Sequence, residues 1–189
     1  LVQGKLREHK LLDSTPLHVV ESGREFAVGG FRITPFRVNH SIPDGVGYAI
    51  ETRLGTIVHT GDFKFDHTPP DGKRADLGLI AEIGNRGVAF LLSDSTRAEK
   101  DGYTLSESTV GESLQRLVGE APGRVIVATF ASNIGRVQQV LDAAWAHGRK
   151  MVALGRSMEQ NTAIALERGF LDERDGTLVR KDQLQRLPK

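Results

Sequence analysis

"GVGYAIETRLGTIVHTGD", residues 45–62, reads as two β-strands joined by a tight turn. Gly45 to Thr52 and Thr56 to Thr60 flank Arg53-Leu54-Gly55, the signature of an antiparallel hairpin. Upstream, Phe31 to Val38 is a further strand, with Pro35 predicting an edge or a bulge. Gly29-Gly30 is a hairpin signal leading into it, and Leu17 to Glu21 and Arg24 to Val28 are short strand candidates before it. Downstream, Asp62 to Gly78 is polar, contains Pro69, Pro70 and Gly72, and reads as a surface loop. Val88 to Leu92 is wholly apolar, as in a buried strand, and runs into Ser93-Asp94-Ser95.

The pattern then changes. Thr104-Leu-Ser-Glu107 has the spacing of a capping box, and Val110, Leu114, Leu117 and Val118 follow at helical spacing. Ala121-Pro122-Gly123 interrupts the chain, which sets a domain boundary near this point: residues 1–120 form one portion and 121–189 another. Val125 to Phe130 reads as a strand. Asn133 opens a helix whose Ile134, Val137, Leu141, Ala144 and Trp145 share a face, and Gly148 ends it. Met151 to Leu154 is a second strand, Gly155-Arg156-Ser157 a turn, and Met158 to Arg168 a second helix stopped by Gly169. Strand, helix, strand, helix predicts a parallel sheet and an α/β fold class.

Composition excludes several classes. A hydrophobic content of 39% with 26% charged residues is that of an ordinary globular protein, and no apolar run approaches the roughly 20 residues that span a bilayer. No membrane role is expected. The absence of cysteine removes disulfides and thiolate metal sites, leaves His, Asp and Glu as the strong ligands, and fits a reducing, cytoplasmic setting. A formal charge of +1 gives no bulk attraction to nucleic acid, so such binding has to come from locally placed groups. The chain opens on Leu1, as a segment of a longer chain would.

Three strand-like runs end in residues suited to metal or proton chemistry: Val38 before His40, Thr60 before Asp62, and Leu92 before Asp94. At one edge of a sheet, a neutral imidazole and a bridging carboxylate suit a zinc centre. The residues alone equally allow a turn histidine at His40, a turn former at Asp62 and a helix cap at Asp94. The six histidines, His9, His18, His40, His59, His67 and His147, form no H-x-H, H-x-x-x-H or H-E-x-x-H pair. His40 and Asp62 therefore fall short of the three protein ligands of a catalytic zinc. His59 reads as a supporting or core residue, His67 as a loop residue, and His9, His18 and His147 as surface or packing residues. The second half offers another kind of site. Phe130 runs into Ala131-Ser132-Asn133 and Leu154 into Gly155-Arg156-Ser157, each turn opening a helix whose free N–H groups favour an anion. Ser132, Asn133, Arg156 and Ser157 are the candidate phosphate contacts, with plain helix capping as the alternative.

At these residues the sequence resembles ribonuclease J, of the β-CASP branch of metallo-β-lactamase-fold nucleases. "FRVNHSIPDGVGYAIET" is similar to the segment carrying the family's third metal motif, with His40 as ligand, and "GTIVHTGDFKFD" to the fourth, with Asp62 as the bridging carboxylate. "LLSDSTRAE" resembles the first β-CASP motif, with Asp94 as its acid, and "TFASNIGRVQQV" and "LGRSMEQN" resemble the opening β-α-β elements of the β-CASP domain. The resemblance implies part of a metallo-β-lactamase αββα sandwich over residues 1–120, followed by the start of a parallel α/β β-CASP domain over 121–189. It implies RNA as substrate, cleaved by exonuclease action from the 5′ end and by endonuclease action, in RNA decay and maturation. Two zinc ions are implied in the complete site, with His40 on one and Asp62 bridging both. Asp94 would orient a β-CASP histidine, and Ser132, Asn133, Arg156 and Ser157 would contact RNA phosphate. The family's H-x-H-x-D-H stretch and later histidines do not occur here, so these residues are expected to carry only part of the site, and the isolated segment to be inactive. The family also implies a homodimer or homotetramer. Two other classes remain: a catalytically silent RNA-binding or scaffold subunit of the same fold, and another metallo-β-lactamase-fold hydrolase.

Overall fold

The computed structural model describes residues 2–187; residues 1, 188 and 189, at the outer ends of the expected 1–120 and 121–189 portions, lie outside the described residues. The chain forms two compact units, the first built from Leu1–Val38, Val46–Asp62 and Asp76–Ser95, the second from Asn39–Gly45, Phe63–Ala75 and Thr96–Lys189.

The first unit is organised by a five-stranded mixed sheet in which the strands lie in chain order. β1 (Phe26–Val28), β2 (Phe31–Arg37), β3 (Val46–Thr52) and β4 (Gly55–His59) pair antiparallel in succession, and β5 (Phe90–Leu92) joins β4 in parallel. Each turn follows from local chemistry. Gly29 adopts φ 57° between β1 and β2, and the two residues Arg53 and Leu54 link Thr52 to its partner Gly55. Pro35 sits inside β2 without breaking it. Its carbonyl accepts from the Gly23 N–H on the side where β1 has already ended, so the donor that proline lacks faces no ladder partner there.

Phe36, Ala49 and Val58 are buried on this sheet, as is Ile83 of α2 (Leu77–Arg86). Burying a Val or Phe side chain of this kind stabilises by about 1.5–3 kcal/mol. Gly47, opposite Phe36, makes room for its ring: an added Cβ would overlap the ring and stand 2.9 Å from the His59 carbonyl oxygen. Gly47→Ala is therefore expected to destabilise the fold by about 1–3 kcal/mol, read as a lower urea midpoint at an unchanged m-value.

The structure departs from the sequence reading in several places. Leu17 to Glu21 forms no strand, and Val19 is almost fully exposed. The loop predicted to Gly78 ends earlier, because α2 starts at Leu77. Val88 to Leu92 is not a buried strand. Only Phe90–Leu92 pairs, it pairs on one side alone, and Phe90 is 67% exposed.

The second unit is helical. α3 (Glu107–Glu120) packs on α4 (Ile134–Ala146), and α5 (Arg156–Glu167) joins α4 around Ile134, Val137, Ala165 and Leu171, with Met151, Met158 and Leu166 at the margin. A short helix, α1 (Val2–Glu8), belongs to the first unit. Gly148 and Gly169, at φ 63° and 70°, stop α4 and α5 in the left-handed conformation expected after a helix. The cap of α3 differs from the expected box: Ser106, not Thr104, is the N-cap, and its hydroxyl oxygen accepts from the Ser108 N–H. Ser106 Oγ also donates to the Thr68 carbonyl, while the Glu107 side chain is held by Lys64 and Arg136 and so does not reach back to the cap. Two runs expected as strands, Val125 to Phe130 and Met151 to Leu154, form no ladder. Met151 makes a single parallel bridge to Leu178, and Ile126 is 94% exposed.

Candidate functional site

Strand direction decides where the chemistry-bearing residues leave the sheet. β2 and β4 are both antiparallel to β3, and β5 is parallel to β4, so the chain exits β2, β4 and β5 at one edge. Asp62 and Asp94 both follow that edge in the first unit, three residues beyond His59 and two beyond Leu92 respectively, which are themselves paired. The backbone holds their turns together. Thr60 N–H donates to the Leu92 carbonyl at 3.0 Å, and Asp94 N–H donates to Thr60 Oγ at 3.0 Å. Asp62 is exposed and Asp94 half-buried.

Gly61 sets the direction of the Asp62 turn. It adopts φ 63°, and a Cβ there would stand 3.2 Å from the Val46 carbonyl oxygen. Its N–H donates to His59 Nδ1 at 3.0 Å, and its carbonyl accepts from the Thr60 hydroxyl at 2.7 Å. His59 thus accepts from the turn that leads to Asp62.

His40 lies in the second unit, exposed, directly after Asn39. Asn39 is well tied: its amide donates to the Lys73 carbonyl at 2.8 Å, its side-chain oxygen accepts from the Ala75 N–H, and its backbone carbonyl accepts from the Lys64 N–H at 2.8 Å. Donors of the chemical types that zinc takes are therefore present in His40, Asp62 and Asp94. Among the described residues, however, no group of three or more His, Asp or Glu is gathered so as to hold a metal ion. The described residues do not by themselves make up a complete zinc centre.

The four candidate phosphate contacts all lie in the second unit. Asn133 caps α4, its side-chain oxygen accepting from the Arg136 N–H at 3.0 Å, while Ser132 beside it is half-buried. Arg156 and Ser157 are exposed in the first turn of α5, after Gly155 at φ 106°. The two turns are linked: the Asn161 amide of α5 donates to the Ala131 carbonyl at 3.0 Å.

One cluster escaped the sequence reading. Asp66, 5% exposed, accepts from the N–H groups of Thr68 and Glu107 and pairs with Lys64 at 3.6 Å. Glu107 accepts from Lys64 at 3.1 Å and from Arg136 at 2.6 Å, and Gln139 donates to the Glu107 carbonyl. Burial pushes the Asp66 carboxyl up, but the Glu107 and Thr68 N–H groups, Ser106 and Lys64 together hold it below its ordinary value. The same balance governs Glu107, where burial is outweighed by Arg136 and Lys64. The only sequence signal was Asp66 following Lys64 at two residues' distance in an otherwise loop-like stretch.

Residues 122–189 match the family described as ribonuclease J, beta-CASP domain. Ribonuclease J of Mycobacterium tuberculosis is 49% identical over 180 residues, covering 95% of this chain and 32% of that protein. Ribonuclease J of Thermus thermophilus is 45% identical, covering 100% and 33%, and ribonuclease J2 of Bacillus subtilis is 40% identical, covering 100% and 34%. The chain thus spans about a third of the length of these curated relatives. A crystal structure of a protein of unknown function from Enterococcus faecalis V583 has the same fold, with a TM-score of 0.64 at 16% identity over 92% of this chain and 43% of that one. The fold class is accordingly mixed α/β with a five-stranded mixed sheet, of the metallo-β-lactamase-related kind with β-CASP sequence. Among the described residues no helix is long and apolar enough to cross a membrane. Along nearly its whole length this chain is thus similar to ribonuclease J proteins, and its residues 122–189 match their beta-CASP domain.

Proposed function

We propose that this chain is part of a metal-dependent ribonuclease that hydrolyses RNA phosphodiesters, acting both from the 5′ end and internally, in RNA decay and maturation in the cytoplasm. The observation that carries the reading is the 40–49% identity to ribonuclease J proteins across 95–100% of these residues. The shared exit edge of β2, β4 and β5 supports it, since that edge releases Asp62 and Asp94 from adjacent strands. In this reading residues 1–120 are the metallo-β-lactamase-fold portion and 121–189 begin the β-CASP domain. His40 and Asp62 contribute an imidazole and a carboxylate to a two-zinc centre that other donors complete. Zinc held there would supply an activated water and charge stabilisation on the phosphate oxygens. Asp94 orients a histidine partner, as carboxylates commonly do. Ser132, Asn133, Arg156 and Ser157 contact RNA phosphates through short donors and a bidentate guanidinium. The working assembly is a homodimer or homotetramer.

The test is metal removal. The full chain is expected to degrade 5′-monophosphorylated RNA, to lose that activity on dialysis against a chelator, and to recover it with zinc. Activity that persists after exhaustive chelation, with metal absent by elemental analysis, would overturn the metal-dependent reading.

A further inference from the structure

We infer that Thr60 is a positioning residue that locks the turns carrying Asp62 and Asp94 to each other; the inference rests on the ribonuclease reading above. The Thr60 hydroxyl is used twice. It donates to the carbonyl of Gly61, the residue before Asp62, at 2.7 Å, and it accepts from the backbone N–H of Asp94 at 3.0 Å. A hydroxyl has one donor hydrogen and spare acceptor capacity, so one small side chain can serve both turns at once.

Three features make the arrangement more than a strand-end contact. Thr60 is itself held in register by its N–H to the Leu92 carbonyl, which continues the parallel ladder by one residue. Gly61 cannot relax by exchange for a bulkier residue, because it combines φ 63° with the close Val46 carbonyl. The other side of the Gly61 peptide is also fixed, its N–H being taken by His59 Nδ1. Both polar backbone groups of the residue that aims Asp62 are therefore satisfied by the two preceding side chains, and one of those side chains also holds Asp94. A displacement of about 1 Å at a reacting group can cost about 100-fold in rate. The hydroxyl keeps two acids in fixed relation through backbone contacts alone.

The test compares Thr60→Val, which keeps the shape and removes the hydroxyl, with Thr60→Ser, which keeps the hydroxyl. In the full chain Thr60→Val is expected to lower kcat on RNA by about 10- to 100-fold with KM within about twofold, the range typical of residues that orient a site from behind. Hydrogen–deuterium exchange of a peptide covering Leu92 to Thr96 is expected to quicken by about tenfold at the Asp94 amide. Thr60→Ser is expected to restore both. Unchanged kcat and exchange in Thr60→Val overturn the inference, and so does a Thr60→Ser as impaired as Thr60→Val. A wild-type chain that cleaves no RNA removes the reading underneath, and exchange then still decides whether the hydroxyl holds the two turns.

Discussion

Replacing both His40 and Asp62 by alanine is expected to lower RNA hydrolysis by the full chain at least about 10³-fold, equivalent to about 4 kcal/mol of transition-state stabilisation. Alanine supplies neither the imidazole nitrogen nor the carboxylate oxygens, and water in their place brings no fixed charge or orientation. On the proposed reading the double change removes two of the donors of a centre whose zinc needs about three protein ligands. The loss should appear in kcat as well as in kcat/KM, and zinc content by elemental analysis should fall with it. Alanine at His18, exposed and outside the strands and helices, serves as the control and should change neither quantity. Near-wild-type activity and zinc in the double variant would end the assignment of both residues.

The fold was legible where local chemistry and tertiary structure agree. Gly29-Gly30 and Arg53-Leu54-Gly55 specify turns by backbone conformation, so the order β1 to β4 followed from the sequence with boundaries shifted by a residue or two. α4 and α5 were legible because their apolar spacing is strict and Gly148 and Gly169 stop them. α2 was not: Gly78 and Gly84 weaken its helix propensity, and Ile83 is its one buried residue, too little to mark a face. Val125 to Phe130 failed for the opposite reason. An apolar, β-branched run records a preference for sheet, but a strand also needs a neighbouring strand, and among the described residues none pairs with it. The same holds for Val88 to Leu92, whose composition signals burial while its position at a sheet edge leaves it exposed.

The site divides along the same line. That Asp62 and Asp94 follow strand ends could be read directly, and the run of two antiparallel pairings and one parallel pairing turns this into a shared edge. The supporting contacts could not be read. Thr60 looks like any β-branched strand residue, and nothing local says that its hydroxyl will find the N–H of a residue 34 positions away. Asp66 reads as a loop acid until the fold brings it the N–H of Glu107, 41 positions on. Hydrogen bonds between distant segments have no periodicity, so a single sequence does not encode them visibly.

Asp66→Ala is expected to destabilise the fold by about 3–5 kcal/mol, the cost of breaking a buried ion pair from one side. The Asp66 side chain is 2% exposed, and its loss leaves the Thr68 and Glu107 N–H groups without their acceptor and Lys64 with Glu107 and the Leu105 carbonyl. Asp66→Asn keeps a carbonyl acceptor and removes the charge, so it should cost less, about 1–3 kcal/mol. Acid sensitivity separates the electrostatic part from packing. Asp66 and Glu107 are both held below their ordinary values, so the folded chain binds fewer protons there than the unfolded chain does. Their contribution is complete above the ordinary carboxylate range near pH 4 and is lost as pH falls through the lower folded values. Urea unfolding from pH 7 down to pH 3 should therefore show wild-type stability dropping steeply at the acid end and Asp66→Asn dropping less. Parallel profiles for the two proteins would mean that the Asp66 charge contributes nothing, and a wild-type-like midpoint for Asp66→Ala would mean that the cluster does not hold α3 to the loop at all.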